Sequence, residues 1–418
     1  MESVMIMGKT VEEIARAAKK IAKAIKSAKI SAIIPEGVTE IEDSAFEGCT
    51  GVDSIILPKS LTKIGKHAFA GCTGLSVLTI HENVKEIGEW AFNGCTSLRV
   101  IVWNAINCTT AGSRFFPIFD GCPNLKTVML NDNVENIPDA VFSNCSGLTS
   151  ITIPNSVRSI GNDAFSCAFN LRLAVVGSNV ESVGSHAFYG CSELRYNEYD
   201  NALYLGNGRN PYAILMKAKD TSISSCIIHP KTKCIYDNAF YDCAKLTSVT
   251  IPKGVTSIGD EAFRWCASLT EINIPDTVEN IGAGAFSCCN ELTSITIPNG
   301  IKQIKKNTFG GCYNLISVNI PANVTEIGKW AFHGCNNLVS VVLPDGVTRI
   351  GSDAFTSCLQ MRVVIVPKSV KYIGTDAFDM CCRARIEYLG TKEEWDAIGK
   401  GVYWTRPKCV INCSDGEI

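Results

Sequence analysis

Residues 246–268 read LTSVTIPKGVTSIGDEAFRWCAS, and this 23-residue pattern recurs from near Ile33 to about Cys381. Fourteen Phe residues keep its register, and eleven of the thirteen steps between them are 23 residues long. The other two steps are 27 and 52 residues long. The 52-residue step equals two periods plus six residues, so it is predicted to contain one degenerate turn. A fixed period of this length predicts a solenoid of about fifteen turns, in which each turn packs only on its neighbours.

The first half of each unit alternates apolar and polar residues, as in LTSITI at 292–297. This period of two predicts a short half-buried strand, which ends at the following Pro because proline has no N–H for the ladder. On the return path, Val255, Ile258 and the Ala262–Phe263 pair are predicted to point inward. Gly259 is interpreted as a turn residue that a side chain would strain. The predicted fold class is therefore an α/β repeat, a leucine-rich-repeat solenoid with short parallel strands.

Most of the 21 cysteines follow the same register. Thirteen of the fourteen register Phe residues have Cys three positions later, and the exception is Phe165, where Ala168 takes the place. A column repeated once per turn is a packing position, so we predict reduced, buried thiols that act as small apolar groups. Disulfides between neighbouring turns are the alternative, because stacked turns bring the Cα atoms near the separation that a disulfide tolerates.

Two terminal segments are predicted to cap the solenoid. Residues 1–30 contain an amphipathic helix over 10–29, which begins at a Thr-x-x-Glu capping box and has a basic outer face. A membrane-surface or partner-binding basic helix is the alternative interpretation of that segment. Residues 389–418 form the C-terminal cap, with a short helix whose inward face carries Trp395 and Ile398, followed by a last strand.

The solenoid itself is predicted to span residues 31–388, with irregular turns at 103–118 and 195–233. Insertions in a solenoid lie on one side and often carry function. In the second irregular region, 201–206 and 212–216 are predicted to be strands joined by a turn rich in Gly, Asn and Pro. This hairpin is interpreted either as an interface element, because it is rich in Tyr, or as a structural extension of one turn.

Composition excludes several classes of function. The net charge is −2 and the Lys and Arg residues look scattered, so no nucleic-acid partner is predicted. No apolar run approaches the roughly 20 residues of a membrane span. The start, MESVMIMGKT, lacks the basic region and longer apolar stretch of a signal peptide. We therefore expect a protein that stays inside the cell, uses another export route, or has lost a leader.

No catalytic, metal or cofactor site is predicted. The five His residues occupy repeat positions or lie in the degenerate turn, and none has a repeat-independent partner that would suggest a catalytic triad. Cys409 and Cys413 lack a second ligand pair at zinc spacing. The glycines occur once per turn and do not cluster into a phosphate-binding loop.

The candidate binding surface is the outward face of the strands, whose residues are small and mostly uncharged. Such a face is suited to binding a protein through a large contact area, in which few individual residues contribute strongly to the affinity. An apolar cluster lies near the first insertion, and burial of this cluster under the inserted loop is the alternative. Phe115 lies one period after Phe92, so a core role is open for it. The candidate partner-binding residues are Val77, Val100, Val102, Trp103, Phe116, Met129, Tyr199, Tyr204 and Tyr212.

The unit LTSITIP–xxV–xxIG–xxAF–xxC resembles the BspA-like family of leucine-rich repeats over roughly residues 31–385. The stretch ALYLGNGRNPY (202–212) and the tail YLGTKEEWDAI … CVINCSDG are similar to accessory pieces of such proteins from gut-type anaerobic bacteria. The resemblance implies a cell-surface or secreted protein that binds host matrix proteins or other microbes. It supplies no catalytic residues.

Together, these features predict a non-enzymatic, monomeric protein-binding solenoid. Its expected role is that of an adhesin or a host- or microbe-interaction factor that recognises a protein through its strand face and inserted loops. A structural module that self-associates through its ends or faces is the alternative. No cofactor is predicted, and localisation is open between the cell surface or secretion, which the resemblance implies, and the cytoplasm.

Overall fold

The structure is a computed structural model, and it describes residues 2–5, 30–381, 383–405 and 409–418. The chain forms two compact units, which we treat separately. Unit 1 contains the described residues up to Tyr196 together with 205–211, and unit 2 contains residues 197–204 and the described residues from Tyr212 onward. The helix predicted over 10–29 lies outside the described residues.

Each turn of unit 1 contributes one strand to a parallel sheet of eight strands. Neighbouring strands keep the repeat register, so that Val77 pairs with Val100 and Val100 with Thr127. The first strand was not expected from the sequence, and it pairs with the strand that begins at Ile30. The eight strands are Glu2–Met5, Ile30–Ile33, Val52–Ile56, Val77–Ile80, Val100–Trp103, Thr127–Leu130, Ser150–Ile153 and Leu173–Val176.

A second ladder in unit 1 consists of two-residue strands at the position of the Ile-Gly motif. These strands are Glu40–Ile41, Lys63–Ile64, Glu86–Ile87, Thr110–Ala111, Asn136–Ile137, Ser159–Ile160 and Ser182–Val183. They form parallel sheets of four and three strands. Both ladders run turn upon turn, so the predicted solenoid of short parallel strands is confirmed, with about sixteen turns in the two units together.

Unit 2 repeats this arrangement. Its longer strands are Ser225–Ile227, Ser248–Thr250, Ser294–Thr296, Ser317–Asn319, Ser340–Val342, Val363–Val366, Arg385–Tyr388 and Val410–Cys413. The short strand Gly416–Glu417 pairs antiparallel with the last of these. Its two-residue strands are Cys234–Ile235, Ser257–Ile258, Asn280–Ile281, Gln303–Ile304, Glu326–Ile327, Arg349–Ile350, Tyr372–Ile373 and Gly399–Lys400. The second irregular region adds Asn197–Tyr199, Ala202–Leu205 and Ile214–Ala218, which adjoin one another in this order. The two strands predicted from the sequence therefore lie next to each other in the sheet, and an additional strand, Asn197–Tyr199, pairs antiparallel with the first of them.

The third side of each turn has no strands, because its backbone alternates between right- and left-handed conformations. Around Phe69, the left-handed residues are His67, with φ of 53°, and Gly71, with φ of 69°. The N–H groups of His67, Phe69 and Gly71 all donate to carbonyl oxygens of the next turn, at 3.0, 2.7 and 2.7 Å. The backbone is thus satisfied between turns without a β-ladder.

The Gly of the Ile-Gly motif has a different role from the one expected. Gly259 does not have a positive φ, so no turn strain requires glycine there. A Cβ at this position would lie 2.5 Å from the backbone nitrogen of Asp237 in the preceding turn. Glycine is needed because neighbouring turns approach too closely for a side chain.

The core of each unit is a stack of Phe rings beside a column of thiols. Ring centroids of consecutive register Phe residues lie 5.0–6.1 Å apart in unit 1 and 5.0–5.7 Å apart in unit 2. The thiol of Cys335 donates to the Phe309 carbonyl oxygen at 3.2 Å, and nine other cysteines repeat this contact. All cysteines among the described residues are free thiols, as predicted.

The C-terminal cap contains the short helix that the sequence predicts. The helix spans Lys392–Asp396, and Thr391 and Glu394 form its capping box. Trp395 and Ile398 are buried, as expected for its inward face. Trp404 places its ring edge-on to Phe378, with the centroids 6.5 Å apart, and so covers the last Phe of the stack.

Candidate functional site

Four aliphatic side chains form a continuous patch on the outward face of the long strands of unit 1. We call Val77, Val100, Val102 and Met129 the strand-face patch. Val77 pairs with Val100, and Val102 pairs with Met129, on consecutive parallel strands. The side chains of Val77 and Met129 are 46% and 56% exposed, and the two valines between them are half-buried. The sheet thus places these predicted contact residues side by side at the surface.

Trp103 does not belong to this surface, which corrects one of the predicted contact residues. The side chain is fully buried, and its ring lies edge-on to that of Phe142 with the centroids 5.5 Å apart. Strand alternation accounts for this position, because Val100 and Val102 face outward whereas Ile101 and Trp103 face inward. Trp103 therefore stabilises the core and cannot touch a partner in this fold.

The first inserted loop contacts a different side of unit 1 and leaves the patch uncovered. Ser113 donates to the Glu89 carboxylate at 3.2 Å, and the Phe116 ring packs edge-on against Trp90, with the centroids 4.6 Å apart. Arg114 pairs with Asp163 at 3.6 Å. Phe115 is 79% exposed, so the core role considered for it is wrong. Phe119 instead continues the ring stack.

The predicted tyrosines of the second irregular region come together in unit 2. The Tyr199 and Tyr212 rings lie 5.6 Å apart, and the Tyr204 and Tyr212 rings lie 5.5 Å apart. His229 stacks on Tyr212 with the centroids at 4.1 Å and lies edge-on to Tyr199 at 4.7 Å. Tyr204 is fully buried, which corrects its prediction as a contact residue. Tyr199 and Tyr212 remain half-buried at the edge of this cluster.

The environment of His229 favours its neutral form. Its Nδ1 accepts a hydrogen bond from the Lys231 N–H at 3.1 Å. Burial lowers the pKa of His229 below its ordinary value, and the charge of Lys231 lowers it further. Burial also raises the pKa of the Tyr204 hydroxyl. His229 therefore packs on Tyr212 as a neutral ring near neutral pH.

The grooves of the described surface are shallow. Three of them have volumes of about 490, 350 and 560 Å³, and both polar and apolar groups line them. Small-molecule sites are usually enclosed, whereas these three grooves are open. Among the described residues, no group of three or more His, Cys, Asp or Glu side chains can hold a metal ion. In the same part of the chain, no helix is long and apolar enough to cross a membrane.

Four basic residues that looked scattered along the chain align at one edge of the strand face. They are Arg99, Lys126, Arg172 and Arg195, and each directly follows the Leu that begins a strand segment. Aligning the units on that Leu would have shown this column from the sequence. The column is not apparent in the linear sequence, because consecutive members lie 23 to 46 positions apart.

Four segments of the chain, some of which overlap, match the BspA type leucine rich repeat region. The segments are 23–118, 117–205, 218–338 and 256–385, well over half of the sequence. The chain belongs to this family. The 23-residue unit with its Phe stack and thiol column is therefore a BspA-type leucine-rich repeat.

Solved structures of bacterial leucine-rich repeat proteins are similar to this BspA-type chain. One from Bacteroides ovatus is 24% identical, with 93% of this chain and 84% of that chain covered at a TM-score of 0.36. A leucine rich cell surface protein from Faecalibacterium prausnitzii is 27% identical, with coverage of 89% and 91% at a TM-score of 0.32. One from Eubacterium ventriosum is 23% identical, with coverage of 90% and 83% at 0.31. Comparison with curated proteins gave no match.

Proposed function

We propose that the chain is a non-enzymatic, monomeric protein-binding solenoid that acts at the cell surface as an adhesin or a host- or microbe-interaction factor. Its strand-face patch contacts the protein partner. The observation that carries the proposal is the exposure of adjacent aliphatic side chains, Val77 and Met129 most of all, on a regular sheet. Contiguous exposed apolar groups of this kind mark interaction surfaces.

The contrast with other turns supports a binding role for the patch. At the same two outward positions, the turns from Ser248 to Asn319 carry only polar residues. These residues are Ser248, Thr250, Glu271, Asn273, Ser294, Thr296, Ser317 and Asn319. The fold therefore accepts small polar groups there, and strand geometry alone does not require the aliphatic residues of the patch.

The other predicted contact residues are proposed as secondary sites. Phe116 is 37% exposed on the inserted loop, next to the more exposed Phe115. Tyr199 and Tyr212 present half-buried rings in unit 2. Partly exposed aromatic side chains are frequent at interfaces because one end is apolar and the other polar.

The test is a quantitative capture experiment from host and microbial extracts with three baits. The baits are the wild-type chain, the double variant Val102→Ser/Met129→Ser, and the control variant Thr250→Ala/Thr296→Ala, which alters the same positions in polar turns. We expect a protein that the wild type and the control capture equally and the patch variant captures poorly. Equal capture by all three baits would contradict the proposal. Light scattering that shows concentration-dependent oligomers would favour the self-association alternative.

A further inference from the structure

The basic residues at the edge of the strand face form one continuous column in unit 1. We call Arg99, Lys126, Arg172 and Arg195 the basic column. The N–H of Lys126 donates to the Arg99 carbonyl oxygen at 3.1 Å, and the N–H of Arg195 donates to that of Arg172 at 3.0 Å. Only the turn of Thr149 separates the two basic pairs. Five consecutive turns thus place four positive side chains along one edge.

The column is not neutralised by the rest of the chain. All four side chains are exposed, and none forms an ion pair with another residue that the structure describes. Other basic residues of unit 1 do form such pairs, as Arg158 does with Glu181 at 2.8 Å. Like charges on neighbouring strands repel each other, and a partner with negative groups would relieve that repulsion. Asp53 and Glu193 lie toward its two ends.

The charge is confined to one edge of the binding face. Arg99 directly precedes Val100 of the strand-face patch, and Arg172 directly precedes Leu173, which is 52% exposed. The opposite edge carries charges of both signs. Its exposed charged residues include Glu36, Lys59, Glu82, Asp132 and Arg209. A partner that covers the face therefore meets a row of positive charges on one side and aliphatic side chains in the middle.

We propose that this face binds an acidic protein segment whose carboxylates meet the basic column while its apolar side chains cover the strand-face patch. The inference rests on the proposed function and adds the chemistry of the partner. Arg side chains bind carboxylates through two parallel hydrogen bonds, and charge complementarity raises the association rate and the specificity. The partner segment thus has acidic groups on one side and aliphatic groups on the other.

A protein segment fits this face better than a nucleic acid does. The centre of the face consists of valine and methionine, whereas single-stranded nucleic acids are held by aromatic side chains on which the bases stack. A polyanion without apolar groups would leave the patch exposed.

The size of the column sets the length of a suitable probe. With strands about 4.8 Å apart, the four steps from Arg99 to Arg195 span about 19 Å. An extended peptide of about ten residues reaches about 33 Å and can lie along the whole column. We therefore choose fluorescein-labelled peptides of this length in which Glu alternates with Val, with Lys–Val and all-Glu peptides and oligothymidylate for comparison.

The experiment measures anisotropy titrations of these probes on the full chain and on three variants. The test variant is Arg99→Glu/Lys126→Glu. The matched control is Lys59→Glu/Lys85→Glu, which makes the same change of net charge at exposed sites away from the column. The third is the patch variant Val102→Ser/Met129→Ser. Circular dichroism melts accompany each titration.

We expect the Glu–Val peptide to bind more tightly than the other probes, and its affinity to fall with added salt. The test variant is expected to lose about tenfold in affinity and the control less than about twofold. Tighter binding of the Lys–Val peptide or oligothymidylate, or equal loss in the control, would overturn the inference. Binding of the Lys–Val peptide that depends on the patch and not on the column would leave the proposed function standing. Binding of none of the peptides, together with equal capture of proteins by all baits, would defeat both.

Discussion

Replacing Phe142 tests the claim that stacked rings hold unit 1 together. Phe142 is fully buried, and its ring centroid lies 6.1 Å from that of Phe119, 5.6 Å from that of Phe165 and 5.5 Å from that of Trp103. It therefore takes part in three aromatic contacts. Each such pair contributes about 0.5–1.5 kcal/mol beyond the burial of its area.

Two substitutions separate packing volume from ring contacts. Phe142→Leu keeps an apolar side chain but removes three ring pairs, so we expect a loss of roughly 1.5–4.5 kcal/mol in the free energy of unfolding. Phe142→Ala also leaves a cavity, and buried Phe→Ala changes cost about 3–5 kcal/mol. The expected loss for Phe142→Ala is therefore at or above the upper end of this range of about 3–5 kcal/mol. Phe115→Ala is the control, because 79% of that side chain is already exposed.

Urea unfolding followed by circular dichroism and by tryptophan fluorescence measures these losses. Hydrogen exchange should show that the protection lost in Phe142→Leu is concentrated in the turns of Phe119, Phe142 and Phe165, because each turn packs only on its neighbours. A Phe142→Leu variant within about 0.5 kcal/mol of the wild type would refute the argument that ring stacking stabilises the core. A Phe115→Ala variant as unstable as Phe142→Ala would refute the assignment of Phe142 to the core and of Phe115 to the surface.

Three further predictions concern the backbone, the thiols and the titration of unit 2. Gly259→Ala is expected to lower the free energy of unfolding by about 1–3 kcal/mol, because its Cβ would lie 2.5 Å from the nitrogen of Asp237. Gly208→Ala should be nearly neutral, because no atom lies within 4 Å of its Cβ position. The urea midpoints of the two variants measure the difference. Burial raises the pKa of Cys72 to about 12, so this thiol and the other buried thiols should react with Ellman's reagent only in denaturant. A count of reactive thiols near zero in denaturant without reductant would mean that the cysteines form disulfides. Because the pKa of His229 is lowered in the fold, the unfolded chain binds the proton more readily, and stability should fall as pH drops through about 6.5. His229→Gln should reduce that pH dependence of the urea midpoint, and an unchanged slope would contradict the assignment.

Much of the core could be predicted from the repeat because its chemistry recurs once per turn. The Phe and Cys columns needed only the 23-residue period, and the buried thiols of the structure follow from it. Trp103 was also predictable, since strand alternation places it beside Ile101 on the inward face. Its position at the start of an insertion made it look like a loop residue. Tyr204 offered no such signal, because its strand lies outside the regular period.

Two features depended on contacts between turns that periodicity does not describe. The role of Gly259 follows from a backbone approach of 2.5 Å across neighbouring turns, and composition does not distinguish this from a left-handed turn. The left-handed positions instead fall on the third side, on residues as varied as His67 and Trp330. The side of unit 1 on which the first inserted loop lies is likewise set by specific contacts such as that of Phe116 with Trp90.

Site-specific photo-crosslinking tests the central claim most directly. A benzophenone amino acid placed at Val102 lies in the strand-face patch, whereas one placed at Lys85 lies in the exposed segment that follows the strand and leads to the second ladder. With the captured protein as partner, we predict a covalent product from position 102 and none from position 85. Crosslinking from position 85 and none from position 102 would contradict the assignment of the strand face as the binding surface.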